Sequence, residues 1–452
     1  MPDMARARAH AFVLTDSRPL RFTTLLLFYL TQGFPIGLFF FALPAWMAAN
    51  GVGTGAIASV VGAAALPWTL KIANGFLIDR YTFLPMGRRR VWIIGAQGTL
   101  VMTLIAGAAL SPAAHNVVQI AALGFLANLA VTFQDVGIDS LAIDIMPEEE
   151  RARAGGIMAG AQFVGASLTT ATGGWLLARF GIATCLLVLA VIPALVMLFA
   201  TVIREREGEK RLPWSPGRSH PHNDTLVVEA WWPLLRSATR AVLAPVSLLL
   251  LPILLIRVIP EGGFEAFHPV LYQQYAGWTP TQYTGFISAL TLASGLCGIL
   301  AGGWLVGRIG PQRAVALALA IGMLSTAAMG ANSSAWSDER VLMAFQIAME
   351  TTRLIYFIAV LTLAMRVCNP AVAATQFTIY MGISNFGRPI GAALAANTSG
   401  AGNAPLLYFS IAAIWGMGLL LVLLVRYPGE ERHEQYGAER LPHGEGPAPE
   451  YD

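Results

Sequence analysis

Twelve long apolar stretches follow one another along this chain of 452 residues, and each is long enough to cross a lipid bilayer. A transmembrane helix needs about 20 mostly apolar residues. Because unpaired backbone groups are costly in lipid, only helices and closed barrels cross a membrane, and these stretches lack the alternation of barrel strands. Only 12% of the residues are charged, so lipid is the expected solvent for most of the surface. We therefore predict an all-α membrane protein.

The predicted architecture has twelve transmembrane helices in two pseudo-repeated bundles of six. The predicted spans are residues 22–47, 54–78, 91–110, 116–146, 156–178, 181–203, 245–275, 281–305, 314–331, 340–366, 372–397 and 404–426. The predicted domains are an N-terminal bundle (1–203), a cytoplasmic central loop (204–244), a C-terminal bundle (245–427) and a disordered cytoplasmic tail (428–452). We expect the central loop to be a flexible tether with an interfacial anchor at Trp231 and Trp232.

The orientation follows from the positions of the 29 lysines and arginines. Most of them lie in the N-terminal segment, in alternate loops and in the C-terminal segment, whereas Arg179 and Arg340 lie in loops of the opposite side. Since basic residues collect on the cytoplasmic side of membrane proteins, we predict that both termini are cytoplasmic. The expected location is the inner membrane of a Gram-negative bacterium.

A short motif occurs at corresponding positions of the two predicted bundles, next to a cytoplasmic loop. Glycine can let two helices approach, and an acid with a basic cluster can close a gate, as in transporters built from repeats. The alternative is that the arginines only obey the positive-inside rule. The gating candidates are Gly75, Asp79, Arg80, Gly87 and Arg88, with Gly303 and Arg308 in the second copy.

Asp135 and Asp139 lie four residues apart, on one face of the predicted span 116–146. Two carboxylates so close in a low-dielectric site do not both ionise easily, so one of them is a candidate proton carrier. Lys71, in the second span, is the expected counter-ion. A purely structural ion pair is the alternative.

The predicted span 245–275 carries Arg257, Glu261, Glu265 and His268 at spacings of four, four and three. We expect Pro260 and the two glycines after Glu261 to break or kink this helix, which transporters tolerate where backbone lines a cavity. Glu261 and Glu265 are further proton candidates, and Arg257 and His268 are substrate-binding candidates. An internally paired stripe, whose kink serves packing, is the alternative.

Later spans add Glu350, Arg353 and Arg388, which are also substrate-binding candidates. Glu350 and Arg353 could simply pair with each other. Arg388 has no carboxylate on its own helix, so we expect a partner on another helix or an anionic ligand. Ionisable residues inside a membrane cost roughly 2.5 to 3.5 kcal/mol each on insertion scales, so they mark a site or a pair.

The chain resembles the peptide/acetyl-coenzyme A/drug transporter group of the major facilitator superfamily, and within it the AmpG-type muropeptide permeases. The resemblance is carried by Gln32-Gly33-Phe34-Pro35, Pro67-Trp68-x-x-Lys71, Asp79-Arg80-Tyr81, Gly87-Arg88-Arg89-Arg90, Gln134-Asp135-x-x-x-Asp139, Ala374-Thr375-Gln376-Phe377 and Gly387-Arg388. It implies two six-helix bundles that transport a solute by alternating access. Gln32, Lys71 and Trp68 join the substrate-binding candidates. The sequence departs from those permeases at Gly160-Ala161-Gln162-Phe163, at Pro260-Glu261-Gly262-Gly263 and at Arg353.

The resulting hypothesis is a secondary active transporter that imports a bulky, polar, anionic metabolite of the muropeptide type with protons. Siderophore uptake, or a membrane assembly or receptor protein on the same fold, are the alternatives. An enzyme is not expected, because the chain has no phosphate-binding loop and no paired nucleophile and base. The expected partners are a small-molecule substrate, protons and the lipid bilayer, without nucleic acid and with a monomeric chain. No cofactor or metal is expected, since Cys185, Cys297 and Cys368 lack metal-ligand spacing.

Overall fold

The computed structural model describes residues 12–81, 83–225, 232, 236, 239–240, 242–298, 303–367, 373–425 and 427. The regular elements of these residues are helices. The predicted tail at 428–452, Trp231 and Cys368 lie outside the described residues. The helices up to residue 225 are α1 (Arg18–Gly37), α2 (Leu43–Ala49), α3 (Thr54–Arg80), α4 (Arg90–Leu110), α5 (Val117–Ile145), α6 (Glu148–Val202) and α7 (Pro221–Thr225).

The later helices begin at residue 245 and lie close to the predicted spans. They are α8 (Pro245–Gln274), α9 (Pro280–Cys297), α10 (Gly303–Ile309), α11 (Pro311–Ala331), α12 (Glu339–Val367), α13 (Ala373–Asn385), α14 (Gly387–Asn397) and α15 (Ala404–Leu424). Several begin at good caps. The side chain of Ser17 accepts a hydrogen bond from Leu20 N, and Thr279 with Gln282 forms a capping box ahead of α9.

Eight helical stretches of the described residues are long and apolar enough to cross a membrane. They are Arg18–Ala49, Arg90–Leu110, Val117–Ile145, Ala154–Val202, Pro245–Gln274, Pro311–Ala331, Glu339–Val367 and Ala404–Leu424. The first of them runs from α1 to α2 through a π-helical turn, Leu38–Ala42. These stretches cover nine of the twelve predicted spans, because Ala154–Val202 contains two of them. The other three predicted spans, 54–78, 281–305 and 372–397, correspond to α3, to α9 with α10, and to α13 with α14, which a turn at Phe386 separates.

The stretch Ala154–Val202 has 49 residues. A straight helix of that length would measure about 74 Å, more than twice the hydrocarbon core of about 30 Å. Gly181 has φ +77°, outside the helical region, and the Cys185 thiol lies 3.7 Å from the carbonyl oxygen of Gly173. Residues 12 apart in a straight helix could not touch, so α6 folds back at Gly181, where the sequence predicts the boundary between two spans.

Glycines bring two pairs of helices into backbone contact. A Cβ atom on Gly165 of α6 would lie 2.0 Å from the carbonyl oxygen of Leu30 in α1. A Cβ atom on Gly262 of α8 would lie 2.0 Å from the carbonyl oxygen of Arg388 in α14. We expected α8 to break or kink near Pro260, and the break is absent, because the helix runs on through this segment. Its glycines permit close packing rather than an opening of the backbone.

The helices up to Val202 contact those after residue 245 at several points. Asn385 Nδ2 donates to the carbonyl oxygen of Trp68 over 3.1 Å, and Gln273 Nε2 donates to that of Ala45 over 2.8 Å. Ser167 and Ser288 each donate to the other's carbonyl oxygen, over 2.9 and 2.8 Å. These contacts hold the two sets of helices together around a central cavity.

Residues 204–223 pack on the loop before α4, and we call this segment the loop cap. The Glu205 carboxylate accepts hydrogen bonds from the backbone N–H groups of Arg88, Arg89 and Arg90, over 2.9, 2.8 and 2.7 Å. Gly87 has φ +96°, and a Cβ atom there would lie 2.4 Å from the Glu205 carboxyl carbon. Only glycine satisfies both conditions. The expectation of a flexible tether is therefore wrong for this part of the central loop, because polar groups fix it.

We predict that the stability of the loop cap depends on pH through Glu209. The Glu209 carboxylate accepts hydrogen bonds from Arg206 N and Asn223 Nδ2. Burial, and after it the nearby Glu205 carboxylate, raises the pKa of Glu209 from 4.5 to about 7. The folded cap thus holds a proton that the unfolded chain releases, so its stability is greatest below about pH 4.5 and falls as the pH rises through about 7.

We expect amide hydrogen exchange of residues 204–212, corrected for intrinsic pH dependence, to accelerate from about pH 5 to about pH 7 and then to level off. The variant Glu209→Gln should remove this dependence. Glu207→Gln is the matched control, because the Glu207 side chain is exposed. Exchange that does not change over this range would contradict the assignment.

Candidate functional site

A cavity of about 280 Å³ lies between the two sets of helices. The earlier helices contribute mainly apolar or neutral side chains to its wall, among them Phe41, Trp68, Gln162 and Phe163. The later helices contribute all of its charged side chains. These are Arg257, Glu261, Glu265, Glu350, Arg353 and Arg388.

Four of the charged side chains form a chain of ion pairs between α8 and α14. Arg388 lies 2.5 Å from Glu261 and 3.3 Å from Glu265, and Arg257 lies 3.7 Å from Glu261. The helix positions explain this arrangement, since residues at spacings of four share one face of α8. The expectation that Arg388 finds a carboxylate on another helix is confirmed. Its guanidinium also lies 4.4 Å from the ring centre of Phe40, which belongs to the earlier helices.

The other two charged residues, Glu350 and Arg353, pair with each other along one face of α12. Arg353 Nε donates to Glu350 Oε2 over 2.9 Å. The Arg353 side chain is 33% exposed, more than those of Arg388 (21%) and Arg257 (11%). Arg353 is thus the most accessible cation of the cavity wall.

The three arginines and three glutamates of the cavity balance one another in formal charge. An anionic ligand therefore meets no spare positive charge, since each guanidinium already faces a carboxylate. Burying an extra charge without compensation is costly in such a site. An anion can bind favourably only if a carboxylate leaves its arginine or takes up a proton.

His268 and Gln346 lie on the same cavity wall as Glu265 and Arg353, but they are uncharged or weakly basic. The imidazole of His268 stacks on the ring of Phe264 with 4.4 Å between ring centres and 16° between planes. The side chain of His268 is 2% exposed. This end of the cavity is polar and aromatic rather than ionic.

The predicted pair of aspartates on α5 forms a separate cluster. Lys71 Nζ lies 2.6 Å from Asp135 Oδ2, and Gln32 Nε2 donates to the other oxygen of Asp135. The hydroxyl of Tyr29 donates to Asp139 Oδ1. Lys71 is therefore a direct partner of Asp135, while Asp139 is held by a neutral phenol.

The structure divides the predicted site residues into two groups. Those on the cavity wall are Trp68, Arg257, Glu261, Glu265, His268, Glu350, Arg353 and Arg388. Gln32, Lys71, Asp135 and Asp139 do not line this cavity. Trp68 connects the groups, because it lies on the cavity wall while Lys71 Nζ lies 5.9 Å from its ring centre.

Sequence reasoning missed several residues of both clusters, notably Tyr29, Gln162, Phe163 and Asn385. Tyr29 precedes Gln32 by three residues on the same face of α1, so helical spacing could have revealed it. Asn385 belongs to the site because it ends α13 beside Trp68. Only the tertiary structure reveals that contact, since 317 residues separate the two.

The structure describes the surroundings of some of the gating candidates but not of others. The side chains of Asp79 and Arg80 lie outside the described part of the chain, as do residues 299–302 before Gly303. Among the described residues, a Cβ atom on Gly75 would lie 3.9 Å from Val136 of α5, which is an ordinary van der Waals contact, so the gating role of Gly75 stays a prediction. Arg88 contributes its backbone N–H to Glu205, and the Arg308 guanidinium lies 5.6 Å from the ring centre of Trp304.

The sequence was compared with those of known proteins. Residues 25–392 match the family described as the Major Facilitator Superfamily. A folate-biopterin transporter of Synechocystis sp. is 24% identical over 359 residues, which is 74% of this chain and 66% of that protein. The anhydromuropeptide permease of Escherichia coli (strain K12) is 32% identical over 133 residues, which is 29% of this chain and 26% of the permease. The alignments thus span less than two thirds of either relative.

The fold was compared with those of solved structures. The crystal structure of a mutant of the nucleoside transporter NupG has a TM-score of 0.66 and covers 89% of this chain and 98% of its own. The identity is 12%, so this likeness concerns the fold alone. The family match extends from α1 to α14 and includes most of the cavity wall. This chain is a multi-pass membrane protein that belongs to the major facilitator superfamily.

Proposed function

We propose that this protein is a secondary active transporter that imports a bulky, polar, anionic metabolite, of the muropeptide or the pterin type, together with protons. The balanced set of three arginines and three glutamates on the cavity wall carries this proposal. Ion pairs that serve structure alone need no cavity, whereas these six side chains surround one within the membrane. The relatives of the chain include transporters named for these two kinds of solute.

The proposed architecture has twelve transmembrane helices in two six-helix bundles, 1–203 and 245–427, joined by the central loop. The glycine contacts support it. In the first set, Gly165 of α6 meets Leu30 of α1, and in the second, Gly262 of α8 meets Arg388 of α14. These helices occupy the first and fifth predicted spans of one set and the corresponding spans of the other, as a repeat requires.

The proposed orientation places both termini and the loop cap in the cytoplasm, at the bacterial inner membrane. The contact from Gln273 to Ala45 then closes the periplasmic end, while Asn385 and Trp68 meet near the middle. These contacts support our proposal of an inward-facing state, with the cavity reached from the cytoplasm. The gating residues would act when this end closes.

Charge balance supports coupling to protons. When an anion binds at Arg353 or Arg388, a proton on a cavity glutamate would keep the site neutral. Asp135 and Asp139 provide a second proton site in the other bundle, since one lysine faces two carboxylates there. Asp139 is its proposed titrating member, because its hydrogen-bond partner among the described residues is the neutral Tyr29 hydroxyl, whereas Asp135 pairs with Lys71.

The test of coupling uses proteoliposomes and the variant Asp139→Asn. We expect wild-type protein to accumulate substrate when the outside is acidic. The variant should lose accumulation at least tenfold but keep exchange of labelled for unlabelled substrate, which needs no net proton movement. Accumulation by Asp139→Asn at the wild-type level would refute the role of Asp139.

The control is Asp338→Asn, which removes a carboxylate from the loop before α12, where Asp338 accepts a hydrogen bond from Arg340 N. It should transport like wild type. Candidate solutes are anhydromuropeptides, pterin acids and iron-loaded siderophores. A membrane assembly or receptor protein is disfavoured, because such a role predicts an apolar or plugged cavity rather than one with six charged side chains.

A further inference from the structure

The first predicted span contains a π-helical turn, Leu38–Ala42, between α1 and α2. The backbone N–H of Leu43 donates to the carbonyl oxygen of Leu38, which precedes it by five residues instead of four. Pro44 follows directly, and because it has no N–H it cannot donate to the carbonyl oxygen of Phe40, four residues earlier. Single π-helical turns inside longer helices are rare and frequently lie at functional sites. This turn is therefore a candidate functional element.

The π-helical turn separates a part of the span that is fixed to its own set of helices from a part that also meets the other set. Before the turn, a Cβ atom on Gly37 would lie 2.3 Å from the carbonyl oxygen of Ala166, so α1 and α6 are in backbone contact. After the turn, α2 contacts α8 and α9, and the carbonyl oxygen of Ala45 accepts the hydrogen bond from Gln273. The two parts of the span therefore need not move together when the two sets of helices shift.

The turn places three consecutive phenylalanines in three different surroundings. Phe39 packs within its own set, where a Cβ atom on Gly124 of α5 would lie 2.9 Å from Phe39 Cδ1. Phe41 lines the cavity. The Phe40 side chain is fully buried, and the Arg388 guanidinium lies 4.4 Å from its ring centre. Phe40 thus joins the turn to the ion pairs of the other set.

The Arg388 guanidinium is shared between two kinds of partner. Glu261 and Glu265 of α8 lie 2.5 and 3.3 Å from it, and the Phe40 ring belongs to the earlier helices. A cation is attracted to the face of an aromatic ring, and the attraction is stronger where water is excluded. An anion that binds Arg388 changes both interactions at once, so the ring contact depends on whether the site is occupied.

We infer that Phe40 is a positioning residue for Arg388, and that it transmits the position of the guanidinium to α2, which closes the periplasmic end. In the structure the cation–π contact holds Arg388 against the π-helical turn and keeps α2 against α8. An anion that pairs with Arg388 cancels its charge, so the attraction to the ring falls and α2 is released. The inference rests on the proposed function and adds the residue through which binding at Arg388 reaches the periplasmic end.

The first test measures thermal unfolding of the full chain in detergent as a double-mutant cycle. Phe40→Leu keeps an apolar side chain but removes the ring. The unfolding temperature of Phe40→Leu combined with Arg388→Gln should fall by less than the sum of the two single losses, because both changes remove the same contact. Phe39→Leu is the matched control, since Phe39 is 1% and Phe40 0% exposed. Its loss should add fully to that of Arg388→Gln.

The second test needs no variant of Arg388 and follows α2 directly. Electron paramagnetic resonance in nanodiscs measures the distance between spin labels at Asn50, which ends α2, and Thr281 in the first turn of α9. Both side chains are exposed, and the three native cysteines are replaced by alanine. We expect Phe40→Leu to broaden the distance distribution and to add a longer component without any ligand. Phe39→Leu should keep the original distribution, and Phe40→Tyr, which keeps an aromatic face, should restore it.

Either of two results would overturn the inference. One is the same distance distribution in Phe40→Leu and Phe39→Leu, and the other is full additivity of Phe40→Leu and Arg388→Gln in thermal unfolding. Both would show that Phe40 is only a packing residue. Neither measurement involves uptake, so the proposed function is tested separately. It fails if wild-type proteoliposomes accumulate none of the candidate solutes.

Discussion

The variant Arg388→Gln is expected to abolish transport and to destabilise the protein. It removes the shared partner of Glu261 and Glu265, which lie 2.5 and 3.3 Å from the guanidinium. Breaking a buried pair leaves an uncompensated charge, with a typical loss of about 3 to 5 kcal/mol. We expect uptake to fall at least roughly 100-fold, because the cavity loses both an anion-binding group and its charge balance. Uptake in proteoliposomes and thermal unfolding in detergent measure the two effects.

A double variant separates stability from transport. In Arg388→Gln with Glu265→Gln, the formal charges balance again, since Glu261 keeps Arg257 at 3.7 Å. We expect most of the lost stability to return while transport stays absent. Recovery of transport in the double variant would show that Arg388 acts only as a structural counter-ion. Unchanged uptake in the single variant would contradict its role altogether.

The second large effect is expected at the contact between α8 and α14. In Gly262→Ala the new methyl group would lie 2.0 Å from the carbonyl oxygen of Arg388, and in Gly391→Ala it would lie 1.8 Å from that of Ile259. Backbone atoms cannot move aside as the end of a side chain can, so the helices must separate. Overpacking costs about 1 to 3 kcal/mol in soluble cores, and we expect at least that here.

The control for this prediction is Gly285→Ala in α9. A Cβ atom at Gly285 has no atom within 4 Å, so the substitution should be neutral or slightly stabilising. Thermal unfolding of the purified variants is the measurement. Both alanine variants should also lose transport, because Gly262 and Arg388 position the ion pairs. Equal unfolding temperatures for Gly262→Ala and Gly285→Ala would show that α8 and α14 are further apart than described.

Much of the helical framework could be predicted, because lipid imposes a length and a polarity on every span. The bounds of α4, α5, α8 and α15 differ from the predicted spans by at most a few residues. The prediction was poorer around Gly and Pro, because these residues can interrupt a helix, whereas Gly can also allow two helices to pack closely. The segment after Pro260 suggested a break or a kink, but the helix is continuous there and its glycines are contact points for α14.

The charged residues of the site could be found because charge inside a membrane is costly and therefore conspicuous in the sequence. Some of their partners could also be predicted, within one helix for Glu350 and Arg353 and between two helices for Lys71 and Asp135. The separation of Lys71 and Asp135 from the cavity could not be foreseen, since spacing along α3 and α5 gives a face but not what that face meets. The loop cap was missed for the same reason. In the sequence Glu205 is one of several acidic loop residues, and only the tertiary structure shows that its carboxylate accepts hydrogen bonds from the backbone N–H groups of residues 88–90.

The sequence by itself determined that the chain lies in a membrane and which segments are helical. It also identified the charged side chains whose burial in the membrane is so costly that they must have a partner or a function. These properties depend on one segment and its solvent, so periodicity and composition are sufficient. The tertiary structure alone decided that the arginines and glutamates balance around one cavity and that the aspartate cluster lies apart from it. Those properties depend on distances between residues far apart in sequence, which are set by helix packing and not by local pattern.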